Sequence, residues 1–144
     1  LFQEAFLPHK PGTCFRYSNL AAGMVGCMLE KRFGLSFEQL AQKELFEPLG
    51  MKDTTFTPSK EQWARMIGMH DLSDGKSVTV KMNEGCIFEN FAPTYFSGGA
   101  GLASTLLDYS AFAEMLLEEG KNILPKELVF AMSSPQLPAS FCAA

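Results

Sequence analysis

Apolar positions along this chain change their spacing several times, and each change marks an element. After Ser18 nearly every residue is small or apolar, Leu20, Ala21, Ala22, Met24, Val25 and Leu29 among them, with no charge until Glu30. A helix that is apolar over most of its circumference is one that other elements surround. Gly23 and Gly26 lower its helix propensity, so the pattern predicts a neighbour packed closely enough to offset them. The helix is expected from about Asn19 to Phe33, with Gly34 where a left-handed C-terminal cap belongs. Ser36 and Gln39 form a capping box. The helix they open is expected to run through Leu40 and Leu45 to Phe46 and to stop before Pro48.

Ser59 and Gln62 repeat the box and predict a short helix over 61–66. Asp74-Gly75, set before the β-leaning Ser77-Val78-Thr79-Val80, predicts a hairpin. Residues 83–96 are mixed and read as loop. Ser97-Gly98-Gly99-Ala100-Gly101 is a glycine cluster, read as the tight turn into a further helix. Thr105 and Asp108 form the capping pair of that helix, Leu106, Leu107, Phe112, Ala113, Leu116 and Leu117 its apolar face, and Gly120 its end. Pro125 suits the first turn of a last helix over 126–132, stopped by Ser133-Ser134-Pro135. The expected fold class is therefore mostly α with a small β-hairpin, in one domain without internal repeats.

Composition excludes more than it identifies. Hydrophobic residues make up 47% of the 144 and charged residues 19%, the balance of a globular chain. The net charge of −4 and the scattered basic residues give no stripe for nucleic acid. No run of apolar residues is long enough to span a membrane. Cys14, Cys27, Cys86 and Cys142 are far apart, and His9 and His70 stand alone, so no ligand spacing for zinc is present and no cofactor is expected. The glycine cluster is not followed by the Lys-Ser/Thr of a phosphate-binding loop.

The candidate chemistry lies in Tyr17-Ser18-Asn19. A phenol titrates near pH 10 in water, and it becomes a useful base at neutral pH only where cations or helix-terminal N–H groups favour the phenolate. Tyr17 stands just before the first helix, which puts the positive end of a helix dipole close by. Asn19 offers one acceptor and one donor group, suited to holding an ammonium and a substrate amide together. The plainer alternative has Tyr17 packing its ring and Asn19 capping the helix. The tripeptide alone leaves both open.

Its surroundings carry a resemblance. Pro11-Gly12-Thr13-Cys14-Phe15-Arg16-Tyr17-Ser18-Asn19 resembles the P-G-T-x-F-x-Y-S-N segment of the serine β-lactamase family, in the branch of class C enzymes, D-alanyl-D-alanine carboxypeptidases and related esterases. Phe46-Glu47-Pro48-Leu49-Gly50-Met51-Lys52-Asp53-Thr54 is similar to its F-x-P-L-G-M-x-x-T stretch, and the run from Gly98 to Asp108 is similar to its G-G-x-G-L-x-S-T-x-x-D segment. Three blocks in order cover most of the chain, about residues 8–136.

The resemblance implies that the chain is a single partial domain, the helical, substrate-cleft portion of the β-lactamase/transpeptidase-like α+β fold. It also implies a serine acyl-enzyme acting on an amide, β-lactam or ester. Tyr17 would then assist proton transfer from the serine and to the leaving group, and Asn19 would orient the family's lysine and the substrate. The family's S-x-x-K serine and its K-T-G or H-x-G motif are both missing here. No serine precedes Tyr17. Ser73-Asp74-Gly75-Lys76 has the S-x-x-K spacing but falls after Tyr17 and in a polar turn. Both motifs are expected beyond the two ends of this chain, which by itself is expected to be inactive. The alternative is a non-catalytic binding or scaffold module that keeps the fold. A small molecule or peptide is the expected substrate of the full-length protein. Self-association is expected where the face toward the missing half lies open. The compartment stays open.

Overall fold

The computed structural model describes residues 9–73, 76–80 and 95–138. Helix α1 (Asn19–Phe33) starts where the apolar run starts. Ser18, in an extended conformation, accepts the N–H of Ala21 on its side chain, and Gly34 closes the helix at φ 69°, ψ 18° by donating its N–H to the Glu30 carbonyl. Glu30 then reaches forward and accepts the Phe37 N–H at 2.7 Å, which ties the end of α1 to the start of α2 (Phe37–Ala41). Both capping boxes form: Ser36 with Gln39 opens α2, and Ser59 with Gln62 opens α4 (Lys60–Ala64).

Pro48 does not stop its helix. Between α2 and α3 (Glu47–Leu49) the chain makes one π-helical turn over Gln42–Phe46, and Pro48 sits inside α3. A proline ring in a regular helix collides with the carbonyl four residues back and leaves a carbonyl without its donor. The wider π turn just before it, closed from the Glu47 N–H to the Gln42 carbonyl, loosens that packing. The helix ends at Gly50 instead, in the left-handed region at φ 70°.

The segment after α3 is the structural hub. Thr54 and Thr55 are buried. The Thr54 hydroxyl is 2.8 Å from Asp108 Oδ2 and 2.8 Å from Ser104 Oγ, and Asp108 Oδ2 also accepts the Asp53 N–H at 2.7 Å. Thr55 and Ala103 pair backbone to backbone in an isolated antiparallel bridge. On the other side Glu38 accepts from the Thr55 hydroxyl at 2.6 Å and the Phe56 N–H at 2.8 Å, while Gln42 donates to the Thr54 carbonyl at 3.1 Å. Phe37, Phe56 and Phe96 stand in a row with successive ring centroids 5.7 Å apart. Thr105 does cap α5 (Leu106–Leu117) by accepting the Asp108 N–H. The Asp108 carboxylate does not complete the capping pair, because it is spent on Thr54 and Asp53 from a distant part of the chain.

Strands β1 (Met69–Ser73) and β2 (Lys76–Val80) pair antiparallel, with Ser73 opposite Lys76. The Asp74-Gly75 turn lies outside the described residues, as does the 83–96 loop but for its last two residues. Ser73 and Lys76 thus sit at facing strand ends and not in the first turn of a helix. After α5 the chain takes four successive positive φ values from Glu119 to Asn122, with Gly120 at 100°. A side chain at Gly120 would meet the Leu124 carbonyl oxygen at 2.0 Å, so the turn needs glycine for both torsion and space. Helix α6 (Lys126–Met132) follows Pro125. Among the described residues only Leu40, Phe46, Met51 and Met115 are buried hydrophobics, while Met28 on α1, Leu106 and Leu117 on α5 and Phe130 on α6 are each more than 65% exposed. Among the described residues no helix is long and apolar enough to cross a membrane.

Candidate functional site

Tyr17, Ser18 and Asn19 divide their roles at the mouth of α1. Ser18 alone supplies the cap. Tyr17 is 82% exposed, so its ring is not packed, and Asn19 is the first helical residue and not the cap. Neither the Tyr17 phenol nor the Asn19 carboxamide makes a hydrogen bond among the described residues. The two plain structural roles that the tripeptide left open are thus both taken away. α1 has no acidic residue in its first turn, so the partial positive charge at its N-terminus is not compensated there. Arg16 turns aside, its guanidinium 3.3 Å from the His9 ring. The arrangement leaves a phenol and a carboxamide in the open beside N–H groups that favour negative charge.

The glycine cluster supplies the neighbour that the small residues of α1 predicted. A Cβ on Gly98 would stand 2.5 Å from the Ala22 carbonyl oxygen, and one on Gly99 would stand 3.4 Å from Asn19 Oδ1 and 3.7 Å from the Ala22 Cβ. At Gly26 the nearest atoms to an added Cβ are the Phe37 ring and the Phe96 carbonyl, both 3.8 Å away. Reading the cluster as a turn missed this close approach. The signal that could have found it is the pair Gly98-Gly99 facing a helix with small residues at 22, 23 and 26.

These distances separate two substitutions that look alike in sequence. Gly98→Ala meets backbone at less than contact distance and is expected to destabilise by about 2 kcal/mol or more. Gly26→Ala meets only ordinary contacts and is expected to stabilise by about 0.5–1 kcal/mol through helix propensity. Denaturant midpoints of the two variants check this; equal shifts in one direction would contradict the packing described.

A cavity of about 500 Å³ opens beside the hub, lined by Asp53, Gln62, Arg65, Ile67 and Leu106 among others. There the Arg65 guanidinium, hydrogen-bonded to Asp53, holds its carboxyl below the usual carboxylate range, and Gln62 adds a second bond in the same direction. A lowered native pKa stabilises the fold above the unfolded carboxyl's own value, and that contribution is lost as pH falls through the lowered one. In Arg65→Gln the Asp53 carboxyl is expected to titrate closer to its ordinary value, which an NMR titration reads. The pair is exposed and salt-screened, so its part in stability is small.

A model of the family described as Beta-lactamase matches residues 1–140. The chain belongs to the beta-lactamase family. The D-alanyl-D-alanine-carboxypeptidase/endopeptidase AmpH of Escherichia coli K12 is 41% identical over 63 residues, which is 44% of this chain and 16% of that protein. The penicillin-binding protein homologue from Pyrococcus abyssi, an octamer, superposes with a TM-score of 0.67 at 28% identity, covering 88% of this chain and 26% of its own. Simvastatin synthase (LovD) from Aspergillus terreus superposes with a TM-score of 0.74 at 25% identity, covering 91% and 31%. The beta-lactamase-family chain described here thus spans under a third of the length of each of these relatives. Within the family the hub gains a meaning. Thr54 of the second sequence block and Asp108 of the third are joined directly, so these two motif residues hold distant parts of the fold together.

Proposed function

We propose that Tyr17 and Asn19 are one part of the active site of a serine hydrolase that opens an amide, β-lactam or ester through a serine acyl-enzyme. The nucleophilic serine and its lysine come from residues outside these 144. On this reading the chain is a single partial domain, the helical, cleft-forming part of an α+β fold, with the hairpin of β1 and β2 as its small β component. The observation that carries the proposal is the exposure of Tyr17 and Asn19 on either side of a capping serine, at a helix N-terminus without acidic residues.

The chemistry follows from the groups. As the serine Oγ bonds to the substrate carbonyl carbon, its proton passes to the Tyr17 oxygen, which acts as the general base. When the carbonyl–nitrogen or carbonyl–oxygen bond breaks, Tyr17 returns that proton to the leaving group. Water then releases the acyl group from the serine. Asn19 holds the lysine and the substrate in register through its two hydrogen-bonding groups.

Two measurements on the 144 residues alone test the division of labour. Without serine, lysine and oxyanion donors the main catalytic contributions are missing, so a fluorescent penicillin is expected to leave no covalent adduct. A labelled chain would mean that the nucleophile lies within it and the reading is wrong. The exposed apolar faces of α1, α5 and α6 are expected to make the isolated chain associate with itself, and a clean monomer at high concentration in sedimentation would count against a face built to meet another half.

A further inference from the structure

We propose that Gly99 is a positioning residue for Asn19, a role that rests on the reading of Asn19 as part of the active site. Residues 96–99 run along α1 against its direction. The Phe96 carbonyl lies beside Gly26, Gly98 beside Ala22 and Gly23, and Gly99 beside Asn19. Those helix positions fall on one face, three or four residues apart. Only Gly101 of the cluster has a left-handed backbone, at φ 95°, whereas Gly98 and Gly99 do not. Torsion therefore does not select glycine at 98 and 99; space does.

The two positions use that space differently. Gly98 presses on backbone: a Cβ there would come within 2.5 Å of the Ala22 carbonyl oxygen and 3.0 Å of its carbon. It fixes how closely the strip lies on the helix. Gly99, whose N–H is held by the Ser97 hydroxyl at 3.2 Å, faces a side chain. A Cβ there would rest 3.4 Å from Asn19 Oδ1 and 3.7 Å from its Cβ. A methyl group fits at that distance as an ordinary contact and narrows the room in which the carboxamide turns. The γ-carbons of a branched residue reach about 1.5 Å further and press the carboxamide aside. The absent side chain at 99 thus sets where the Asn19 donor and acceptor point, and with them the group that Asn19 holds.

Gly99→Ala and Gly99→Val, made in the full-length protein with Asn19 intact and with Asn19→Ala, test this. With Asn19 intact, kcat/KM is expected to fall about threefold for alanine and more than about tenfold for valine, the graded loss of a misplaced polar group. In the Asn19→Ala background both losses are expected to shrink to within about twofold, because the group they act through is gone. The side-chain amide resonances of Asn19 are expected to move in Gly99→Val and to stay in place in Gly26→Ala. Losses that multiply fully with Asn19→Ala, or Asn19 resonances unmoved by valine, would overturn the proposal. Should Asn19→Ala leave activity at its full level, the active-site reading fails while the resonances still decide whether Gly99 positions Asn19.

Discussion

Asp108→Ala is expected to lower the stability of the protein by about 2–3 kcal/mol. One carboxylate oxygen accepts both the Asp53 N–H at 2.7 Å and the hydroxyl of Thr54 at 2.8 Å, and hydrogen bonds to a charged acceptor each contribute about 1.5–3 kcal/mol. Thr54 is only 1% exposed, so water cannot replace the lost acceptor, although its second contact, to Ser104, limits the damage. Asp108 also lies in the first turn of α5, where a negative charge adds about 0.3–1 kcal/mol against the helix dipole. Asp108→Asn keeps an oxygen acceptor without the charge and is expected to cost roughly half as much. Thr54→Val removes the donor and fills nearly the same volume, so it is expected to cost less than Asp108→Ala, since no buried hydroxyl is left unpaired. Chemical denaturation of the three variants orders them. An Asp108→Ala protein within about 0.5 kcal/mol of the parent would show that this link between distant segments is not the hub described.

Tyr17→Phe is expected to lower kcat/KM of the full-length protein by about 10²–10⁴-fold, the usual contribution of a positioned general base. The ring is retained, and at 82% exposure the phenol oxygen supports nothing in the fold, so the melting temperature is expected to stay unchanged. With Tyr17 as the proposed base, the loss is expected in kcat with KM nearly constant, because such a proton would move only as the serine attacks. A substrate panel of a β-lactam, a D-alanyl peptide and a short-chain ester supplies the best substrate for the comparison. If Tyr17→Phe kept full activity on it, the base would be another group.

Most helix boundaries were legible because they rest on local chemistry. α1 ends at Gly34 and α6 starts just after Pro125, as their sequence signals place them, and both Ser–Gln boxes close as written. The readings that failed turned on an irregular helical turn or on something far away in the chain. Pro48 looks like a stop until the π turn before it makes room. Asp108 looks like a capping partner until Thr54, 54 residues earlier, takes its carboxylate. Gly98 and Gly99 look like a turn until α1 lies against them. The small residues of α1 did forecast a close neighbour, but no spacing rule names which segment it is.

The sequence by itself determined most helix boundaries, the three motif blocks and, through Tyr17 and Asn19, the residues worth testing. Caps, turns and apolar periodicity act over three or four residues, so a local reading captures them. Only the tertiary structure decided that Ser18 rather than Asn19 takes the cap, that Tyr17 stands unpacked, and that the second and third blocks are fastened to each other through Thr54 and Asp108. The last of these depends on which side chains meet across long loops, where a few tenths of an ångström separate contact from collision. The space beside Asn19 is the clearest case, because it is set by a side chain that residue 99 does not have.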